Sequence, residues 1–288
     1  MLINFAGILF DGIAYGSLLF LIGIGLSVTM GLMNFINLAH GAFAMLGGYV
    51  CVAAMTRLGL PFLASLPIAF IVTALAGVIL ERTLYQRLYQ ASHLEQVLFS
   101  IGLTFMAIAA ATYFYGPGQQ PVQLPEFLRG QVRVLGLDLG AYRLFLIALV
   151  IVITLSLVWL VAHTRFGAQV RAAVDNQQAA AGMGIHVNRI FALTFALGSG
   201  LAGLGGALGI DVLGLDPTFP VKYMVYFLLI VSVGGAGSIN GTLVAALILG
   251  VFDVAGKYYV PEVGAFVIYA LMVLLLILFP AGLYGRRA

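Results

Sequence analysis

Apolar runs of about twenty residues recur along the chain, and they limit its fold more than any other feature. They fall at about 5–30, 34–56, 58–80, 94–115, 143–162, 190–210, 222–236, 238–257 and 263–281. A helix needs about 20 such residues to cross a hydrocarbon core of roughly 30 Å. Inside lipid only helices and closed barrels satisfy their own backbone, and barrel strands would read as short alternating segments. The expected fold is all-α, a polytopic transmembrane helix bundle of eight or nine spans. The count turns on 222–236, a short run that leads into "VGGAGSINGT", where Gly234, Gly235 and Gly237 either join two spans or break one helix within the membrane.

Composition agrees. Of 288 residues, 62% are hydrophobic and 8% charged, against roughly 25% charged in an ordinary soluble domain. The 36 glycines are spread through the apolar runs, which suits close helix approach in a bilayer. The formal charge of +3 comes from scattered Lys and Arg, so nucleic acid is not indicated as a partner and membrane lipid is. Cys51 is the only cysteine, which excludes an intrachain disulfide and a cysteine-based metal site. The N-terminal "MLINFAGILFDG" has no basic stretch before its apolar run, so a cleaved signal peptide is not expected.

The whole of 1–288 reads as one transmembrane domain with two long connections. Residues 116–142 hold three prolines and several glycines and read as an aqueous loop with a small strand pair. In 163–189, Val170, Ala173, Val174 and Ala181 recur at helical spacing among polar residues, followed by Gly182 and Gly184. That pattern predicts a short amphipathic helix outside the membrane. With nine spans, this loop shares a side with 81–95 and the terminal "GRR", giving seven of the thirteen Lys and Arg against six. The positive-inside rule favours that side as cytoplasmic.

The run "MGLMNFINLAHGAFAMLGGYV" places Asn34, Asn37 and His40 in an otherwise apolar stretch. In hydrocarbon such side chains face the bundle interior or a cavity. One reading is a helix broken near 31–37, with Asn37 and His40 opening its second piece beside a translocation path. The other is that they hydrogen-bond neighbouring helices and only hold the bundle together. A shift of 200 residues lays Asp11 on Asp211, His40 on Asn240 and Gly41 on Gly241, an internal repeat of the kind that transporters build with interrupted helices.

The 163–189 helix has two readings of its own, a rigid element that receives a push from a separate ATPase or an interfacial helix lying on headgroups. Near the span ends, Asp253 stands four residues before Lys257, a spacing that suits a structural ion pair. The two lysines sit in "PVKYM" and "AGKYY", so no phosphate-binding P-loop exists in this chain. His40, His93, His163 and His186 lack metal-ligand spacing, and no G-x-S-x-G elbow appears, so an enzyme is not expected.

Three runs taken together, "GLSVTMGLMNFINLAHGAFAMLGGYV", "RAAVDNQQAAAGMGIHVNRIFALTFALGSGLAGLGGAL" and "GGAGSINGTLVAALILGV", resemble the permease subunits of branched-chain amino acid ABC importers, the LivH type. The resemblance covers nearly the whole chain. It implies a multi-pass subunit of a bacterial cytoplasmic (inner) membrane that passes branched-chain or related amino acids handed over by a periplasmic substrate-binding protein. A second, different permease and two ATP-binding cassette ATPase subunits complete such a complex, and ATP and Mg belong to the ATPases. The resemblance also implies that Arg165, Arg171, Ala172, Ala173, Asp175, Ala180 and Gly184 lie in the ATPase-coupling loop. Asn34, Asn37, His40 and Gly41, with Ser238, Asn240 and Gly241, would line the pathway or break helices. Relatives of the family carry urea or short-chain amides, and a stand-alone secondary transporter or channel is the reading from another class.

Overall fold

A computed structural model of the chain describes residues 2–33, 35–134, 137–280 and 282–284. Its helices are α1 (Leu2–Met33), α2 (His40–Leu58), α3 (Phe62–Thr83), α4 (His93–Tyr115), α5 (Glu126–Arg129), α6 (Ala141–His163), α7 (Arg165–Asp175), α8 (Gln177–Gly182), α9 (Val187–Leu213), α10 (Phe219–Gly234), α11 (Ile239–Tyr259) and α12 (Gly264–Leu278). A 3₁₀ turn, Tyr85–Leu88, joins α3 to α4, and strands β1 (Gln131–Val134) and β2 (Leu137–Gly140) pair antiparallel after α5.

Each of the nine apolar runs coincides with a helix, and seven of these helices are long and apolar enough to cross a membrane. The other two, α10 and α12, are shorter apolar helices. At 1.5 Å per residue, the 16 residues of α10 span about 24 Å, less than the hydrocarbon core. Gly235 and Gly237 (φ +92° and +82°) turn the chain over residues 235–238 between α10 and α11, and the short α10 favours a helix interrupted there over two full spans.

Two helices form the centre. In α1 every residue from Gly16 to Ser27 is buried, the mark of a helix apolar all round and enclosed on all sides. Most of α9 is buried likewise. Lipid tails are as apolar as leucine, so helices associate in a bilayer through close packing rather than apolar burial. Small residues supply that packing here. Gly47 of α2 lies against the backbone of Gly203, Gly206 against the backbone of Ala44, and Gly16 of α1 against Gly250 of α11. Helices α4 and α6 surround this centre and turn Leu98, Phe105, Met106, Val152, Leu155 and Trp159 outward, as a lipid-facing surface requires.

The connections sort onto two faces. Helices α7 and α8, the 85–92 turn and residues 282–284 lie at one, and the β1–β2 hairpin with 59–61 lies at the other. On the hairpin face Arg143 pairs with Asp11, and Asp11 and Asp211, the residues overlaid by the 200-residue shift, line one cavity. The expected amphipathic helix of 163–189 is two helices, because Asn176 leaves the helical region (φ −158°, ψ 106°) and caps α8 by accepting from Ala179 N at 2.9 Å. Lys257 Nζ sits 2.5 Å from Asp253 Oδ2, so the i,i+4 pair exists with a fully buried carboxylate.

Candidate functional site

Helix α1 continues to Met33, three residues further than its apolar run, because Leu32 and Met33 are buried in the core. The interruption is therefore at 35–39 rather than 31–37. Asn34 lies outside the described residues. Asn37 sits in the break and His40 is the first residue of α2, so the two do not share a helix face.

The break is held by side chains that also satisfy its backbone. Asn37 Oδ1 accepts from Ala39 N at 3.0 Å and from the Tyr85 hydroxyl at 2.9 Å. Ile36 N donates to Gln96 Oε1 at 3.4 Å, and Gln96 Nε2 reaches the carbonyls of Leu88 and Ala91. Burial pushes the Tyr85 phenol above its ordinary pKa, which keeps it a donor. Phe35 packs edge-on to the rings of Tyr85 and Tyr89. His40 Nε2 lies 2.9 Å from the carbonyl of Ile22, eleven residues before α1 ends, so the chain folds back along α1 before α2 starts. Tyr85 and Gln96 are absent from the sequence-based candidates. Their signal is weak: a glutamine in the first turns of an apolar span, and a tyrosine in the polar turn before it.

A second interruption, 214–218, repeats the first in detail. Asp216 Oδ1 accepts from Thr218 N at 2.8 Å, the same turn that Asn37 makes with Ala39. Helix α10 then begins with its Pro220 Cα 3.0 Å from where a Gly41 side chain would start. The N-termini of α2 and α10 meet there, and a larger residue at Gly41 would separate them.

The third interruption is 235–238. Gly237 N donates to Ser27 O at 2.9 Å, and Thr242 Oγ1 is 2.8 Å from Ser27 Oγ. Ser238 caps α11 by accepting from Gly241 N at 3.0 Å. Gly241 is buried against Gly234, whereas Asn240 is exposed. The two candidate clusters therefore dock on one stretch of α1, His40 at Ile22 and Gly237 at Ser27. Five residues are about 7.5 Å of rise and roughly 140° of rotation, so α1 stands between them.

In the other candidate region, Ala173 and Ala180 are buried, Ala172 is half-buried, and Arg165, Arg171, Asp175 and Gly184 are exposed. Arg171 donates to the carbonyl of Val161, which ties α7 to the end of α6. The face of α7 at Val170 and Val174 shares a cavity with Gly237 and Ser238. The turn 184–189 shares another with Glu81 and Gln86, and Tyr89, bonded to Glu81 at 2.5 Å, packs its ring on Phe191 of α9. Both outer helices thus abut structures that hold a break. Among the described residues no cluster of three or more His, Cys, Asp or Glu has the arrangement of a metal site.

Replacing Asn37 with leucine removes the acceptor shared by Ala39 N and Tyr85 and leaves two buried donors unpaired. We expect a loss of about 2–6 kcal/mol, at 1–3 kcal/mol per orphaned group. Thermal unfolding in detergent measures it, and an unchanged transition would show that the break does not depend on this side chain.

Comparison with known proteins gives a consistent picture. Residues 8–276 match the model of a family described as the permease component of the branched-chain amino acid transport system. The chain is 28% identical to the high-affinity branched-chain amino acid transport system permease protein BraD of Pseudomonas aeruginosa, over 96% of this chain and 95% of that protein. It is 29% identical to the corresponding LivH protein of Escherichia coli, over 96% and 94%, and 26% identical to LivM of the same organism, over 91% and 67%. No solved structure matches the chain.

Proposed function

From the premise that this chain belongs to the branched-chain amino acid transport permease family, we propose that it moves branched-chain or related apolar amino acids across a bacterial cytoplasmic membrane as one permease of an ATP-driven importer. The observation that carries this reading is the family match over nearly the whole chain, joined to helix interruptions at 35–39, 214–218 and 235–238, two of which adjoin residues bonded to α1, His40 at Ile22 and Gly237 at Ser27. Irregular backbone at membrane depth is tolerated only where protein covers it or it lines a cavity, and transporters place such interruptions at the solute path.

In this reading the second permease is a different chain, as the similarity to both LivH and LivM supports. A substrate-binding protein delivers the solute at the hairpin face. Two ATPase subunits bind ATP and Mg and press on α7 and α8 at the cytoplasmic face. That assignment follows the side carrying Arg165, Arg171, Arg82 and Arg87. The chain itself hydrolyses nothing. Asn37, His40 and Gly41, with Ser238 and Gly241, shape the interruptions, and a push on α7 acts across the cavity that Val170 and Val174 share with Gly237 and Ser238.

Mass spectrometry of what copurifies with the chain from gently solubilised native membranes tests the assembly. We expect two P-loop ATPases and a second permease of the same family. ATP-dependent leucine uptake by the purified complex in proteoliposomes, supplied with its binding protein, tests the activity. Recovery of the chain alone, with solute flux independent of ATP, would replace this reading with a self-sufficient transporter or channel.

A further inference from the structure

At the face opposite the hairpin, a cavity of about 580 Å³ opens between the end of α3 and the turn that leads into α9. Arg82 of α3 and Arg189 of α9 both line it, with Gln86, His186 and Asn188. Glu81 belongs to the lining too, but it is 1% exposed and its carboxylate already accepts from the Tyr89 hydroxyl at 2.5 Å. Two arginines against one carboxylate leave the cavity net positive. Among the described residues the ion pairs involve neither Arg82 nor Arg189. Helix α9 starts at the cavity wall, where His186 caps it without a side-chain hydrogen bond, and an uncapped first turn favours negative charge beside it.

This cavity lies at headgroup depth. The 22 residues of α3 rise about 33 Å from the hairpin face, enough to cross the roughly 30 Å hydrocarbon core, and Arg82 sits in the last turn. On the same side of α3, deeper in the membrane, Ile79, Leu75 and Val72 follow at helical spacing and are all exposed. On α9, Leu193 stands one turn deeper than Arg189 and is 54% exposed, although most of that helix is buried. Each arginine therefore heads an apolar strip that turns outward to lipid.

We propose that this cavity holds the phosphate of an anionic phospholipid whose acyl chains lie along the strips of α3 and α9. Guanidinium groups bind phosphate oxygens through paired hydrogen bonds, and basic pockets between transmembrane helices suit anionic headgroups. Free phosphate would use the arginines and leave the strips without a role. An acidic segment of an ATPase subunit would do the same. Only an amphiphile uses charge and strips together, at the depth where they meet. A bound headgroup bridges the end of α3 to the start of α9, beside the turn that contains Gly184. The inference rests on the chain's place in a membrane and not on which solute it moves.

The test uses the full chain in phosphatidylcholine vesicles. Trp159→Phe removes its only tryptophan, and Leu193→Trp then places a fluorophore on the α9 strip, where lipid with brominated chains quenches it. Brominated phosphatidylglycerol is expected to bind there about 25-fold more tightly than brominated phosphatidylcholine, about fivefold for each basic residue facing an anionic group. Arg82→Gln and Arg189→Gln should each lower that preference about fivefold. Arg82→Lys and Arg189→Lys keep the charge and should keep most of the preference, so a loss in the glutamine variants reports charge rather than misfolding. Phe105→Trp, on the outward face of α4, is the control and should show no preference. In the assembled transporter, native mass spectrometry should find phosphatidylglycerol retained, and absent when both arginines are glutamine. Equal quenching by the two lipids, or a preference shared by Phe105→Trp, would overturn the proposal. Displacement by inorganic phosphate would assign the cavity to the free anion, and loss of the lipid once the ATPases assemble would assign it to them; either result overturns it.

Discussion

Replacing Gly206 with leucine is expected to destroy the folded bundle, although the change favours the helix locally. Leucine stabilises a helix by about 1 kcal/mol over glycine, so propensity alone predicts a gain. In the structure, however, a Cβ at 206 would fall on the backbone carbonyl of Ala44, and no rotamer relieves a clash with backbone. Helices α2 and α9 must then separate, which also opens the Gly47–Gly203 contact. Overpacking of side chains typically costs about 1–3 kcal/mol, and a backbone clash lies at or above the top of that range. Gly102 of α4 is the control, because a Cβ there meets nothing within 4 Å. Thermal unfolding in detergent should show Gly206→Leu unfolded or strongly destabilised and Gly102→Leu close to the unaltered protein. Equal transitions for the two would mean that the central helices do not cross this closely.

The second large effect is expected at Gly184, in the turn that joins α8 to α9. Its φ of +85° is a conformation that a β-branched residue adopts only under strain, at roughly 1–3 kcal/mol. Nothing lies within 4 Å of its missing side chain, so Gly184→Val acts through the backbone alone. The turn is exposed and separate from the packed centre. We therefore expect the chain to insert and assemble normally while ATP-driven uptake falls by at least tenfold. Measuring uptake and ATP hydrolysis on the same preparation separates the cases. Hydrolysis that continues without uptake places the lesion in coupling, whereas full uptake would remove this turn from the mechanism.

Much of the fold was legible because the bilayer imposes a simple rule. Each of the nine apolar runs is a helix, and the strand pair and outer helices fall in the polar connections. The boundaries that moved did so for packing reasons: α1 runs on to Met33 because its last residues are buried. Asn176, which divides the outer element into α7 and α8, was visible as a residue type but not as a cap until its neighbours were placed.

The candidate site was legible only in part. Asn37 and His40 stood out because polar groups in apolar runs are rare, and both are held by hydrogen bonds. Asn240 stood out through its alignment with His40, yet it is exposed while His40 is buried. Tyr85, Gln96 and Ser27, which hold the interruptions in place, gave almost no signal, since each does its work across 48 to 210 residues of chain.

Sequence by itself determined that this chain spans a membrane as helices, and it marked Asn37 and Gly235 as places where a helix could be interrupted. It did so because the solvation of backbone and side chains by lipid depends on residue type and local order, which the sequence states directly. Only the tertiary structure decided that α2 and α10 begin where Gly41 meets Pro220, that two of the breaks dock on opposite sides of α1, and that Arg82 and Arg189 line one cavity. Those features depend on which distant backbones approach one another, and glycine permits a close approach without naming its partner.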